Sequence, residues 1–116
     1  MTVQPPIPFP GPASHAAPPV TAFDRAELQP ILSLYGQMVA QGEWRDYGIA
    51  HLRDVAVFSI FRRTAETPLY RVEKRPALRN RQGQYAVIGA EGQVLRRGHD
   101  MAQVLRAIAP KPRLVE

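Results

Sequence analysis

Proline is concentrated at the start of this chain, and this constrains the fold more than any other feature. Seven of the twelve prolines lie within the first 23 residues, which contain no Asp, Glu, Lys or Arg. Proline fixes φ and lacks an amide donor, so neither a helix nor a paired strand forms in such a segment. We therefore predict a disordered, proline-rich tail over 1–22, one folded domain over 23–110 and a frayed end over 111–116.

The tail has two interpretations. A preformed polyproline II segment can dock into an aromatic-lined groove, or it can be an unstructured terminus. No basic residue flanks the prolines to orient a P-x-x-P ligand. We therefore favour the unstructured terminus.

Two start signals predict a first helix over about 24–41. Asp24 suits the N-cap, and Glu27 then falls at N3 to complete a capping box. Phe23 and Leu28 occupy the positions of a hydrophobic staple. An apolar stripe follows at spacings of three and four: Leu28, Ile31, Leu32, Tyr35, Met38 and Val39.

Pro30 is discordant with this helix, since it deletes one helical hydrogen bond. A kink at Pro30, or a helix that begins there, is expected. The next segment has no firm period. In it we interpret Trp44 and Tyr47 as lids on the core, because a small domain needs its largest side chains inside; the alternative is an exposed anchor for a partner.

From residue 55 the pattern changes to strands. Segments 55–63 and 69–75 predict one hairpin, and segments 84–89 and 93–97 predict another, joined by a two-residue Glu91-Gly92 turn. A second helix, capped by His99-Asp100, has an apolar stripe that ends before Pro110: Met101, Val104, Leu105 and Ile108. The predicted class is α+β: a helix, a four-stranded antiparallel sheet of two hairpins and a C-terminal helix, with both helices on one sheet face.

Burial fixes the register of the first hairpin. Most apolar surface is buried when Phe58 and Ile60 share a face with Tyr70 and Val72. The opposite face then carries a mixed set that is rich in arginine: Ser59, Phe61, Arg63, Leu69, Arg71, Glu73 and Arg75.

The composition argues against several chemistries. The chain has no cysteine, none of its three serines sits in G-x-S-x-G, and its histidines lack metal-ligand spacing. His51 and Asp54 would pair on a helix, as an acid–base couple or, more often, as a surface pair. We therefore expect a protein that is not an enzyme and uses no metal or cofactor. No membrane helix or signal peptide is predicted, so we expect a cytoplasmic location.

Charge is unevenly distributed along the chain. Residues 24–61 carry five acids against three bases, whereas residues 62–113 carry twelve bases against four acids. This imbalance favours an anionic partner for the second half. After strand alternation is considered, the candidate binding residues are Phe61, Arg63, Arg71, Arg75, Arg79 and Arg81.

Several short blocks follow one another in a fixed order: Phe23-Asp24-Arg25 through Leu34-Tyr35-Gly36, Gly42-Glu43-Trp44-Arg45-Asp46-Tyr47, Phe58-Ser59-Ile60-Phe61-Arg62-Arg63, Pro68-Leu69-Tyr70-Arg71-Val72-Glu73-Lys74-Arg75-Pro76 and Arg97-Gly98-His99-Asp100. Over about 23–109 the chain thus resembles an uncharacterised alphaproteobacterial family, domain of unknown function 2794. The resemblance implies a free-standing bacterial cytosolic protein. It implies no catalytic or binding residue.

Two functions remain after these exclusions. The first is a non-enzymatic protein-interaction module, whose basic sheet face docks an unknown protein with an acidic surface. The alternative is binding of RNA or single-stranded nucleic acid by the same arginines, with Phe61 as a stacking platform. We favour the first, because acids interrupt the basic run and no known nucleic-acid module is present.

Overall fold

Two helices and five strands make up the part of the chain that the computed structural model describes, residues 19–63 and 67–110. The predictions for residues 1–18 and 111–116 lie outside this part. The elements, in chain order, are α1 (Arg25–Ala40), β1 (Asp46–His51), β2 (Ala56–Phe61), β3 (Tyr70–Lys74), a 3-10 turn (Pro76–Leu78), β4 (Tyr85–Gly89), β5 (Val94–Gly98) and α2 (Met101–Leu105). The α+β class is confirmed.

The sheet has five strands, not the four predicted. The strands are hydrogen-bonded in chain order, β1 to β5, and every neighbouring pair is antiparallel. The two predicted hairpins therefore form one continuous meander. The missed strand, β1, lies at an edge, and its residues are exposed or half-buried. An edge strand of this kind lacks the alternation of buried and exposed residues by which strands are recognised in a sequence.

Helix α1 begins as predicted. Asp24 is the N-cap, and its side chain and that of Glu27 form the reciprocal capping box. The helix runs from Arg25 through Pro30, so a start at Pro30 is wrong. Its buried residues follow spacings of four, three and four: Glu27, Ile31, Leu34 and Met38.

The predicted apolar stripe of α1 is therefore displaced. Leu32 and Val39 are 42% and 40% exposed, whereas Leu34, outside the predicted stripe, is buried. The apolar side of this helix is wider than the surface that the sheet offers it. One flank of the stripe remains in contact with solvent.

The core lies between one face of the sheet and both helices. The predicted register is confirmed, since Phe58 pairs with Val72 and Ile60 with Tyr70. Around them pack side chains from α1, α2 and β4: Ile31, Leu34, Met38, Val87, Met101, Val104 and Leu105. Leu69 also packs against this core and not on the opposite face, because β3 begins only at Tyr70 and strand alternation does not extend to Leu69.

The two aromatic residues predicted as core lids, Trp44 and Tyr47, differ in burial. Trp44 is 3% exposed and belongs to the core, as predicted. Tyr47 is 44% exposed, so its assignment as a core lid is only partly right. Its ring stacks on Phe58, with centroids 4.9 Å apart, at the border of the core.

Helix α2 and the connection between β4 and β5 lie where the sequence predicts them, but their lengths differ from the prediction. Helix α2 ends at Leu105, and Ile108 is buried in the turn that follows. Asp100 is its N-cap and accepts the Gln103 N–H at 3.0 Å. The connection from β4 to β5 contains four residues, 90–93, and not the two predicted, with Gly92 at φ +88°.

Candidate interaction surface

The sheet face turned away from the two helices carries much of the predicted binding set. We call it the basic face and define it by Ser59, Phe61, Arg71, Glu73 and Arg75. Cross-strand pairing places Arg71 beside Ser59, and alternation along β2 and β3 keeps Phe61 and Glu73 on the same side. Arg75 directly follows the last residue of β3, and its hydrogen bond to Glu73 holds it on this face.

A carboxylate lies between two arginines at the centre of the basic face. The Glu73 side chain is 9% exposed. Its Oε1 accepts from Arg75 Nε at 3.1 Å, and its Oε2 lies 3.7 Å from Arg71 Nη2. The two arginine side chains stay 35% and 41% exposed, so each is anchored at one end and reaches solvent with the remaining N–H donors. The trio carries a net charge of one.

The end of β2 brings together three arginines that the alternation rule would separate. Strand β2 stops at Phe61, which is half-buried, so alternation does not extend to Arg62 and Arg63. Both line one open cleft of about 470 Å³, beside Arg45 at the start of β1. Arg62 also lies 3.7 Å from Glu43, with both side chains more than half exposed. The candidate residue Arg63 therefore lies in this cleft, beyond the end of β2.

The remaining two candidate residues lie in the connection between β3 and β4. Arg79 and Arg81 are exposed, and their backbone N–H groups close turns onto Pro76 and Leu78. The charge of Arg79 acts on the phenol of Tyr85, which belongs to the core on the helix side of the sheet. These two arginines thus extend the positive surface around the end of the sheet and are not part of the basic face.

A buried polar cluster joins α1 to the sheet, and it was not predicted. Glu27 Oε1 accepts from Lys74 Nζ at 2.8 Å, and Glu27 Oε2 accepts from the Tyr85 hydroxyl. Lys74 also donates to the Ala22 carbonyl at 2.9 Å. The signal was present in part, because the predicted register places Lys74 on the core face, where a lysine requires an anionic partner.

The electrostatics of this cluster favour an ionised Glu27. Burial raises the pKa of Glu27, but the hydrogen bonds from Lys74, Tyr85 and the Asp24 backbone outweigh burial, and the pKa is lowered. Burial, followed by the hydrogen bond to Glu27 and its negative charge, raises the pKa of Tyr85. The cluster is therefore an ion pair with a neutral phenol as second donor, which is an arrangement that fixes a helix on a sheet.

Within residues 19–63 and 67–110, no three His, Cys, Asp or Glu side chains are grouped so as to hold a metal ion. His51 ends β1 and Asp54 lies in the turn that follows, so the two do not form a helical pair. In the same part of the chain, neither helix is long and apolar enough to cross a membrane.

A family model described as "Protein of unknown function (DUF2794)" matches residues 21–105. The matched region spans both helices and all five strands. No curated protein and no solved structure is significantly similar to the chain.

Proposed function

The chain belongs to the family described as protein of unknown function (DUF2794), and we propose that it is a non-enzymatic protein-interaction module whose basic face docks an acidic protein surface. The observation that carries this proposal is the position of Glu73 between Arg71 and Arg75. The carboxylate holds both guanidinium groups in place, so less side-chain freedom is lost when they bind a partner carboxylate.

The same trio argues against a nucleic acid as the preferred ligand. Binding along a phosphate backbone depends on several cations that each neutralise a phosphate. Glu73 already neutralises one of the two central arginines, and Glu43 lies beside Arg62. One observation favours the alternative, since Phe61 is only half-buried on the same face and offers a ring for base stacking.

Fluorescence anisotropy with two labelled probes tests the proposal. One probe is a short peptide of Glu, Asp and Leu, and the other is a single-stranded RNA of the same length. We expect the peptide to bind, and Arg71→Gln and Arg75→Gln each to weaken binding by about tenfold, the value of one charge-assisted hydrogen bond. Glutamine is chosen because it keeps a donor beside Glu73.

Arg25→Gln is the matched control. It removes the same charge from α1, on the other side of the sheet, and should leave peptide affinity within about twofold. Tighter binding of RNA, with an affinity that falls steeply with salt, would establish the alternative function. Failure of both probes at low salt would refute both.

A further inference from the structure

The helix-side border of β1 is apolar, exposed and uncharged. Tyr47 and Ile49 are 44% and 43% exposed, although Phe58 and Ile60, which face the same side one strand further in, are at most 1% exposed. The exposed flank of α1, with Leu32 and Val39, lies on this side, since Tyr35 between them contacts Tyr47 at a centroid distance of 5.0 Å. No charged residue occurs over 28–42 or over 47–50.

The outer edge of the β1 backbone has no strand partner in the described chain. Leu52 N–H donates inward to the Val55 carbonyl at 2.9 Å, and inward and outward pairs alternate along antiparallel strands. Tyr47, Ile49 and His51 therefore direct their N–H and C=O groups away from β2. Of these groups, the Tyr47 N–H donates to Asp46 Oδ1 at 2.8 Å. In the described chain β1 has a strand partner on one side only. An edge that is apolar and uncharged is a template for another strand.

We propose that this edge pairs with the same edge of a second copy of the chain, antiparallel, about a two-fold axis at Ile49. Residues directly opposite in an antiparallel pair point to one face, so both copies keep their helices on the same side. Ile49 then faces the second copy's Ile49, and Tyr47 faces the second copy's His51. All three outward-facing residues of each β1 enter the ladder, and the Tyr47 N–H exchanges the Asp46 carboxylate for the carbonyl of the second copy's His51.

Charge supports a second copy as the occupant. The protein has a formal charge of +5, which opposes self-association over most of its surface. The β1 edge is an exception, since residues 45–54 contain two arginines and two aspartates. In this register Arg45 lies opposite the second copy's Arg53, and each arginine is followed in the chain by an aspartate, so the joined ends of the two edges carry no net charge.

The other edge of the sheet, β5, is not suited to pairing with a second copy. Strand β5 contains two adjacent arginines, Arg96 and Arg97, and two copies of it would repel each other. Its exposed apolar residue Val94 supplies a matched control position, 53% exposed against 43% for Ile49. The proposed dimer uses neither Arg71 nor Arg75, so it does not depend on the proposed function.

Sedimentation of the full chain over micromolar to submillimolar concentrations tests the proposal. We expect a species of twice 13.0 kDa. Ile49→Lys should weaken the dimer by at least about tenfold, because two lysines meet at the axis, whereas Val94→Lys should change it by less than about twofold. A wild type that stays monomeric, or a dimer that tolerates Ile49→Lys in a chain with unchanged far-ultraviolet circular dichroism, overturns the proposal.

A crosslink tests the register without removing any contact. The chain has no cysteine, so one introduced thiol has no competitor. Opposite residues of a hydrogen-bonded antiparallel pair have Cα atoms about 5.5 Å apart, within disulfide range. Ile49→Cys should form a covalent dimer under mild oxidation much faster than Val94→Cys. Equal crosslinking rates for the two variants would contradict the pairing at Ile49. In a separate control, Ile49→Lys should bind the acidic peptide as tightly as the wild type does, because the dimer does not use the basic face.

Discussion

Replacing Glu27 with glutamine measures how strongly the buried ion pair holds α1 on the sheet. The Glu27 and Lys74 side chains are 9% and 15% exposed and lie 2.8 Å apart. Glutamine keeps the shape of glutamate but removes its charge, so the ammonium loses its ion pair while it stays buried. Breaking a buried pair in this way costs about 3–5 kcal/mol, and the retained amide oxygen, which still accepts one hydrogen bond, places the expected loss near about 3 kcal/mol.

Urea unfolding followed by the fluorescence of Trp44 measures this loss. Trp44 is the only tryptophan and is 3% exposed, so its emission reports on core integrity. In a domain of this size about 3 kcal/mol corresponds to a fall in Tm of about 12–24 °C. Glu43→Gln is the control, because it makes the same chemical change in the exposed pair with Arg62 and should cost less than about 1 kcal/mol. Equal losses for the two variants would refute the reasoning.

The same carboxylate predicts a pH dependence. The pKa of Glu27 is lower in the folded chain than in the unfolded chain, so the unfolded state binds more protons as the pH falls. The stabilisation is complete above the unfolded pKa of about 4.3 and is lost as the pH falls through the lower folded value. Wild type should therefore lose its advantage over Glu27→Gln below about pH 4. A stability difference that is constant from neutral pH to pH 3 would contradict this mechanism.

Four further substitutions test other parts of the structure. Tyr85→Phe removes the second donor to Glu27 and should lower the free energy of unfolding in urea by about 1–3 kcal/mol. The loss should be smaller in a Glu27→Gln background, because both substitutions disrupt the same hydrogen-bond network. Fully additive losses would argue against one network. Gly83→Ala should destabilise the fold strongly, because the φ of Gly83 is +114° and a Cβ there would lie 2.5 Å from the β5 backbone. Gly36→Ala should raise Tm by a few degrees, because a Cβ at Gly36 in α1 meets open space. Similar thermal shifts for the two variants would contradict this reasoning. Phe58→Ala should lower the free energy of unfolding by about 3–5 kcal/mol, because the Phe58 ring is fully buried and packs against the rings of Tyr35 and Tyr47 on the helix side. A folded variant with the wild-type midpoint in urea would show that the core is packed differently.

The candidate surface was only partly predictable from the sequence. The sharing of one face by Arg71, Glu73 and Arg75 follows from strand alternation, which depends only on positions two residues apart. The predicted position of Arg63 rested on the same rule, but β2 ends at Phe61 and Arg63 lines the cleft with Arg45 and Arg62. Arg45 was absent from the predicted set, since its proximity to Arg62 and Arg63 depends on pairing of β1 with β2.

Local patterns in the sequence determined the start of α1, the cap and apolar stripe of α2, the register of β2 with β3 and the α+β class. Each of these depends on interactions between near neighbours or on one simple burial rule. Only the tertiary structure decided that the segment after Trp44 forms an additional strand, β1. It also decided that Glu27 contacts Lys74 and Tyr85, which lie 47 and 58 positions further along the chain. Such contacts arise from the packing of a helix on a sheet, and no local period encodes them. The exposed β1 edge belongs to the same class, because an edge is defined by what the rest of the chain leaves uncovered.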